Sequence, residues 1–357
     1  MERKPKLVQM LAADRRLGSA VPMPPPSENT YAWKEILEAV EPFLQRVAGR
    51  LTAQTLEFEP EIASHVQYAL GAQGKQLRPI LVSLSGEAVG PLTDAHEIVA
   101  VIIEMVHLAT LVHDDVIDEA DLRRGRATPA SQWGNEISVL LGDCLFAHSL
   151  KLAASFPTPD ICRAVASATN TVCAGEILQT KSRGNFELTT SYYYKVLAMK
   201  TAELFALSCE LGGCLGQASP ARREALRQYG MALGTAYQLY DDCLDLLGSE
   251  SSAGKSLGAD LARGKLTLPI LIARDRATPA ERDQLQRWVQ NWDARFLPDV
   301  MQLISRHDAL THSRAVIQEY LDASRQALTA LPDNAGRGGL DGLTHFLAQQ
   351  TEALGVV

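Results

Sequence analysis

The sequence predicts an all-α fold, a single-domain bundle of long helices. Three observations predict it. From Tyr31 onward, apolar residues recur at helical spacing, as in Trp33, Ile36, Leu37, Val40, Leu44 and Val47. Strand-like alternation is scarce. Glycine and proline fall in clusters that leave helical segments of roughly 12 to 25 residues between them. The breaks lie at Gly71–Gly74, Gly90-Pro91, Gly125–Pro129, Phe156–Pro159, Gly184–Thr190, Ser219-Pro220 and Gly248–Gly258. A further loop is expected over Pro332–Gly339, before a last helix around Leu343–Leu354. No repeat of fixed period appears, so a solenoid is not expected.

The chain divides into residues 1–30 and 31–357. The first part carries Arg3, Lys4, Lys6, Arg15 and Arg16, then Pro22, Pro24, Pro25 and Pro26. Prolines so close together block a continuous helix. A mobile basic tail ending in an extended linker is expected. Its bases suit transient contact with a membrane surface during product release. Glu2 and Asp14 argue against a transit peptide, and no apolar signal core is present.

The 357 residues are 46% hydrophobic and 21% charged, an ordinary globular balance. The net charge of −8 disfavours general nucleic-acid binding. No apolar run is long enough for an uninterrupted spanning helix. Six cysteines stand at 144, 162, 173, 209, 214 and 243, with no C-x-x-C pair. Scattered in apolar contexts, they read as reduced, which points to the cytoplasm.

Chemistry concentrates in His107–Thr128. Asp114, Asp115 and Asp118 form a D-D-x-x-D cluster behind an apolar run. On a helix these carboxylates reach one patch of surface, where like charges repel. Oxygen-only ligands favour Mg²⁺, which keeps waters and shares substrate phosphates. Alone, the cluster also fits a solvated acidic face. The spacing returns, however, at Asp241, Asp242 and Asp245, again after an apolar helical stretch. Each copy runs into a basic, Gly-bearing segment, Arg123-Arg124-Gly125-Arg126 and Gly254–Lys265. Two such clusters suit several Mg²⁺ around one polyphosphate, with the bases on its oxygens.

Other residues join them. Lys75 and Arg78 sit in Gly74-Lys75-Gln76-Leu77-Arg78-Pro79, near a helix start that suits a diphosphate. His107 lies two helical turns before Asp114 and, near a phosphate, would donate a hydrogen bond; it also fits a satisfied core histidine. His113 is left without a role. Lys200 interrupts an apolar helix, a costly place for a cation unless it meets an anion or snorkels to water. Gln238 precedes Asp241 by three residues, where its amide suits a developing cation or a neighbouring helix.

The segments GKQLRP, HLATLVHDDVIDEADLRRG, KTAELF, QLYDDCLDLLG and GKSLGADLARGKLTLP resemble the trans-isoprenyl diphosphate synthases over roughly residues 35–350. The subgroup is the medium- and long-chain synthases, of octaprenyl or solanesyl type. The resemblance implies the isoprenoid synthase fold around a central cavity, a homodimer and three Mg²⁺. It implies isopentenyl diphosphate and an allylic diphosphate as substrates, joined head to tail. By motif, Asp114, Asp115, Asp118 and Asp241 would hold metal, with Asp242 and Asp245 supporting the second cluster. Arg123, Lys200 and Lys265 would bind the allylic diphosphate. Lys75, Arg78, His107 and Arg124 would bind isopentenyl diphosphate. Thr201 and Gln238 would stabilise the allylic cation. Gln76 stands where many members carry a base, which weakens the isopentenyl site somewhat.

No Ser/His/Asp or Cys/His set is present, as suits chemistry that needs no protein nucleophile. Two alternatives remain: a class I terpene cyclase and a non-catalytic subunit of a heteromeric prenyl synthase. The product tail is expected to run down the helix carrying Asp114. One isoprene unit spans about one helical turn. Ala109 and Thr110, one turn below, are small, whereas the resembling family places bulky aromatics here to stop at C15. Val106 and Ile103 follow, and Phe146 is the candidate floor. Products longer than C20, in the C30–C50 range, are expected.

Overall fold

The structure, a computed structural model, describes residues 30–71, 74–247 and 257–355. The expected tail lies outside these residues apart from Thr30, as does most of Gly248–Gly258. The described residues are overwhelmingly helical, and the apolar periodicity becomes one continuous core. Helix α1 (Thr30–Ala53) lays Ile36, Val40, Phe43, Leu44 and Val47 onto it. Helices α2 (Pro60–Leu70) and α3 (Leu77–Glu87) follow, then α4 (Asp94–Ile117) and α5 (Pro129–Ala154).

Helix α4 is buried over most of its length and packs against α1, α3 and α5. By length and composition α4 and α5 are apolar enough to cross a membrane. The apolar window of α4 is 72% buried in the protein, and its last turn carries Asp114 and Asp115, so its apolarity serves the core. Between α4 and α5, Leu122–Arg123 (β1) pairs with Arg126–Ala127 (β2). This small hairpin, absent from the all-helical expectation, turns at Arg124 and Gly125, both at positive φ.

Helix α6 (Asp160–Lys181) is followed by α7 (Thr190–Leu197), a π-helical turn over Ala198–Ala202, and α8 (Glu203–Leu215). Helix α9 (Pro220–Leu247) packs along α8 and carries the second aspartate cluster. A short turn, α10 (Ala259–Ala262), leads to α11 (Leu268–Arg276), α12 (Pro279–Gln290), α13 (Leu297–Arg306), α14 (Ala309–Leu328) and α15 (Ala335–Glu352).

The loop expected over Pro332–Gly339 is shorter than the sequence suggested. Helix α15 begins at Ala335 and takes in Gly336, Gly338 and Gly339. Asn334 caps it, its side chain accepting from the Arg337 N–H. Packing explains two of the glycines. A Cβ on Gly336 would come 2.3 Å from the Ala88 nitrogen, and one on Gly339 2.6 Å from a Leu84 methyl. Close docking on α3 outweighs the roughly 1 kcal/mol that glycine costs inside a helix. Gly336→Ala should therefore destabilise the protein by about 1–3 kcal/mol. Urea denaturation measures this, and an unchanged midpoint would refute the docking account.

Candidate active site

The helices enclose a cavity of about 1010 Å³. The first aspartate cluster reaches it from the end of α4. The apolar periodicity runs out there, and Asp118 is already the residue after the helix, its N–H bonded to the Asp114 carbonyl. Each aspartate meets a different base. Asp114 Oδ2 lies 3.5 Å from Lys200 Nζ. Asp115, 2% exposed, accepts from Arg123 Nε at 2.8 Å. Asp118 accepts from Arg183 at 2.5 Å and Lys265 at 3.1 Å, with Arg263 at 3.8 Å.

These settings separate the carboxyls. Burial, with Glu176 and Asp118 nearby, raises Asp114 despite Lys200. Burial also raises Asp115 against the pull of Arg123. Burial opposes ionisation of Asp118 as well, but Lys265, Arg263 and Arg183 outweigh it and hold Asp118 low. Lys200 shows the same contest with the opposite sign. Burial lowers it, and the Asp114 and Glu176 charges more than restore it, so the ammonium stays charged.

Helix α9 brings the second cluster. Asp241 lines the cavity. Asp242 is buried, accepts a 2.5 Å bond from the Tyr193 hydroxyl and another from Gln238 Nε2 at 2.8 Å, and burial pushes its carboxyl up to about 8. Gln238 in turn accepts from Thr201 Oγ1 at 3.0 Å. Asp245 departs from expectation. It is 1% exposed and off the cavity wall, because the returning loop covers it: Asp245 Oδ2 accepts the Asp260 N–H, and its carbonyl accepts the Gly258 N–H. Through these two bonds it fastens the returning loop.

The remaining bases come from local folding. Tyr68 donates to the Ala127 carbonyl, and Arg126 stacks on the Tyr68 ring and bonds the Gly71 carbonyl, so the hairpin is pinned to the end of α2. Arg124 thereby joins Lys75, Arg78 and His107 on the wall. Burial lowers Lys75, Arg78 and Arg124. Burial and the Arg78 and Arg124 charges press His107 well down, leaving a neutral ring. The Nε atoms of Arg78 and Arg183 are buried without a hydrogen-bond partner, and such donors are satisfied by an incoming anion. Gln76 is also on the wall, in a left-handed conformation at the start of α3.

Among the described residues, no three His, Cys, Asp or Glu side chains converge as a metal cage. The donors are carboxylate oxygens spread over two helices. That set fits Mg²⁺ completed by water and phosphate oxygens better than a dedicated protein cage.

Of the product-length candidates, Thr110 lies on the wall. Ala109 does not: it is fully buried in the core, as are Val106 and Ile103 to within 1%. Phe146 lines the cavity but packs against His113, ring centroids 5.6 Å apart.

Sequence reading missed Glu176, Gln179 and Arg183. They lie on or just beyond α6, and with Val172 they line the cavity at spacings of four, three and four residues. That polar stripe was the available signal. Tyr193 and Arg263 belonged to no quoted role and were missed too. The pairing of the loop after α6 with the segment before α11 had no signal; it includes a backbone bond from the Gly184 N–H to the Gly264 carbonyl at 2.7 Å.

A helical bundle with carboxylates on two helices, cations between them and apolar walls below defines an isoprenoid synthase. The chain belongs to the polyprenyl synthetase family, whose profile matches residues 59–304. It is 35% identical over 284 residues to the octaprenyl diphosphate synthase of Escherichia coli (strain K12), covering 79% of this chain and 88% of that one. The crystal structure of a decaprenyl diphosphate synthase from Rhodobacter capsulatus superposes with a TM-score of 0.84 at 34% identity, covering 89% of this chain and 99% of the other. A polyprenyl synthase from Caulobacter crescentus CB15, complexed with calcium and isoprenyl diphosphate, gives a TM-score of 0.82 at 32% identity over 88% and 97% of the two chains.

Proposed function

We propose that this chain is a Mg²⁺-dependent prenyltransferase. It condenses isopentenyl diphosphate with an allylic diphosphate, head to tail and trans, into a polyprenyl diphosphate longer than C20. One observation carries the reading: a single cavity holds carboxylates from α4 and α9, two groups of cations, and apolar walls. A site for one phosphate would not need both groups of cations.

In this reading Arg123, Arg183, Lys200 and Lys265 bind the allylic diphosphate beside Asp114, Asp118 and Asp241. Bound Mg²⁺, three ions in the resembling enzymes, would offset the charge of the departing diphosphate. The allylic C–O bond breaks and leaves a carbocation. Thr201 and Gln238, already hydrogen-bonded to each other, turn oxygen dipoles toward it. Lys75, Arg78 and Arg124, with the neutral His107, hold isopentenyl diphosphate so that its double bond attacks. The released diphosphate takes the proton. Leu108, Leu111, Val172 and Leu204 keep water from the cation.

We further assign the protein to a homodimer, because α5 exposes Ile137 (42%), Val139 (41%) and Leu140 (60%) together. The six free cysteines suit the cytoplasm. The fold and site are assigned to residues 31–357 as one domain.

The test is the chain alone with Mg²⁺, farnesyl diphosphate and labelled isopentenyl diphosphate. Diphosphates longer than C20 support the reading. Cyclic hydrocarbon would make the protein a cyclase, and no product a dependent subunit. The two cation groups should also separate kinetically. Arg78→Ala should raise KM for isopentenyl diphosphate, and Lys200→Ala that for the allylic substrate, each by about 10- to 150-fold, the worth of one charge-assisted bond. Equal effects on both substrates from either variant would refute the division.

A further inference from the structure

Glu176 belongs to none of the five motifs, yet it lies on the cavity wall. Its side chain is only 14% exposed and ion-pairs with Lys200. Its charge is one of those that raise Asp114. A carboxylate beside an aspartate cluster is unfavourable unless it is compensated. The geometry shows what it does there. The Lys200 ammonium has three anionic or acceptor neighbours: Glu176, Gln179 Oε1 at 2.8 Å and Asp114 Oδ2 at 3.5 Å. The first two stand on α6 and the third on α4. The shorter contacts are to α6, so the ammonium is drawn off Asp114.

The backbone is built for this reach. Lys200 lies in the π-helical turn, and α6 approaches that turn at Gly175. A Cβ there would come 2.8 Å from the Lys200 backbone nitrogen and 2.9 Å from Met199 Cβ. Any larger residue would push Glu176 away from the ammonium.

We propose that Glu176 is a positioning residue that, with Gln179, holds Lys200 away from Asp114 and aims it at the allylic diphosphate. Without the Glu176 charge, Lys200 would close on Asp114 to charge-assisted hydrogen-bond distance, about 2.8 Å. One cation would then occupy a carboxylate oxygen that the metal–diphosphate complex must use, and it would no longer point at the substrate. This rests on the assignment of Lys200 to the allylic site made above.

The test is a double-mutant cycle of Glu176→Gln and Lys200→Ala, read by KM for both substrates and by thermal midpoint. Calorimetric titration of farnesyl thiolodiphosphate, which ionises too slowly to turn over, gives binding apart from activity. Glu176→Gln should weaken allylic KM and analogue binding about tenfold, leave KM for isopentenyl diphosphate within about twofold and preserve the melting curve. In the Lys200→Ala background the same change should alter allylic KM by less than about twofold, because neighbours acting through one group are not additive. A tenfold loss in both backgrounds would overturn the inference while leaving Lys200 at the allylic site. No effect of Lys200→Ala itself on allylic KM would instead overturn the assignment of Lys200, and this inference with it.

Discussion

Asp114→Ala and Asp241→Ala should each lower turnover on the order of 10³-fold or more at saturating Mg²⁺, with the fold intact. Removing a single preorganised stabilising group from other active sites costs about 10²–10³-fold, and here a metal-binding carboxylate would go. The two residues stand on different helices and line one cavity, so loss of either leaves the departing diphosphate short of charge. Stability should barely move. Burial and the nearby Glu176 and Asp118 already disfavour the Asp114 charge, while Lys200 keeps Glu176 and Gln179 as partners. Steady-state rates with labelled isopentenyl diphosphate, paired with thermal melts, check both halves. A variant that keeps more than about a tenth of wild-type turnover would sink the metal assignment.

The second large effect concerns product length. Thr110 lies on the cavity wall one turn from Asp114, its hydroxyl bonded back to the His107 carbonyl at 2.6 Å. Thr110→Phe should cut products to roughly C15–C20, since one isoprene unit spans about one helical turn. Ionisation of the starter should persist, as the aspartates are untouched. Ala109→Phe should behave differently. Ala109 is fully buried off the wall, so the ring would overpack the core by about 1–3 kcal/mol and lower yield without resetting length. Mass analysis of the diphosphates separates the two variants. Shortening by Ala109→Phe and not by Thr110→Phe would reverse the placement.

The contrast shows what the residue order could and could not reveal. The D-D-x-x-D spacings were legible because helical periodicity alone brings residues i, i+1 and i+4 toward one surface. The basic motifs were legible because clustered cations in an acidic chain call for a local anion. Which face a single residue presents was not. Ala109 and Thr110 are adjacent, about 100° apart on a helix, and only neighbouring helices decide which one meets the cavity. Asp245 shares the spacing of Asp118, but a loop brought back by tertiary folding covers it. Gly336 read as a helix breaker because its partner, the α3 backbone at Ala88, is remote in sequence.

The π-helical turn at Ala198–Ala202 has a geometric consequence for the whole wall. Tyr193, Leu197, Thr201 and Phe205 all line the cavity, as do Tyr192, Val196, Lys200 and Leu204. Both rows repeat every four residues. On a regular α-helix, four residues overshoot a full turn by about 40°, so such a row would drift about 120° around the axis over three steps. The wider turn takes up one extra residue and resets the phase midway. Deleting a single residue from it would keep the segment helical but turn its two ends out of step, so that either the tyrosines or Leu204 and Phe205 would lose the cavity.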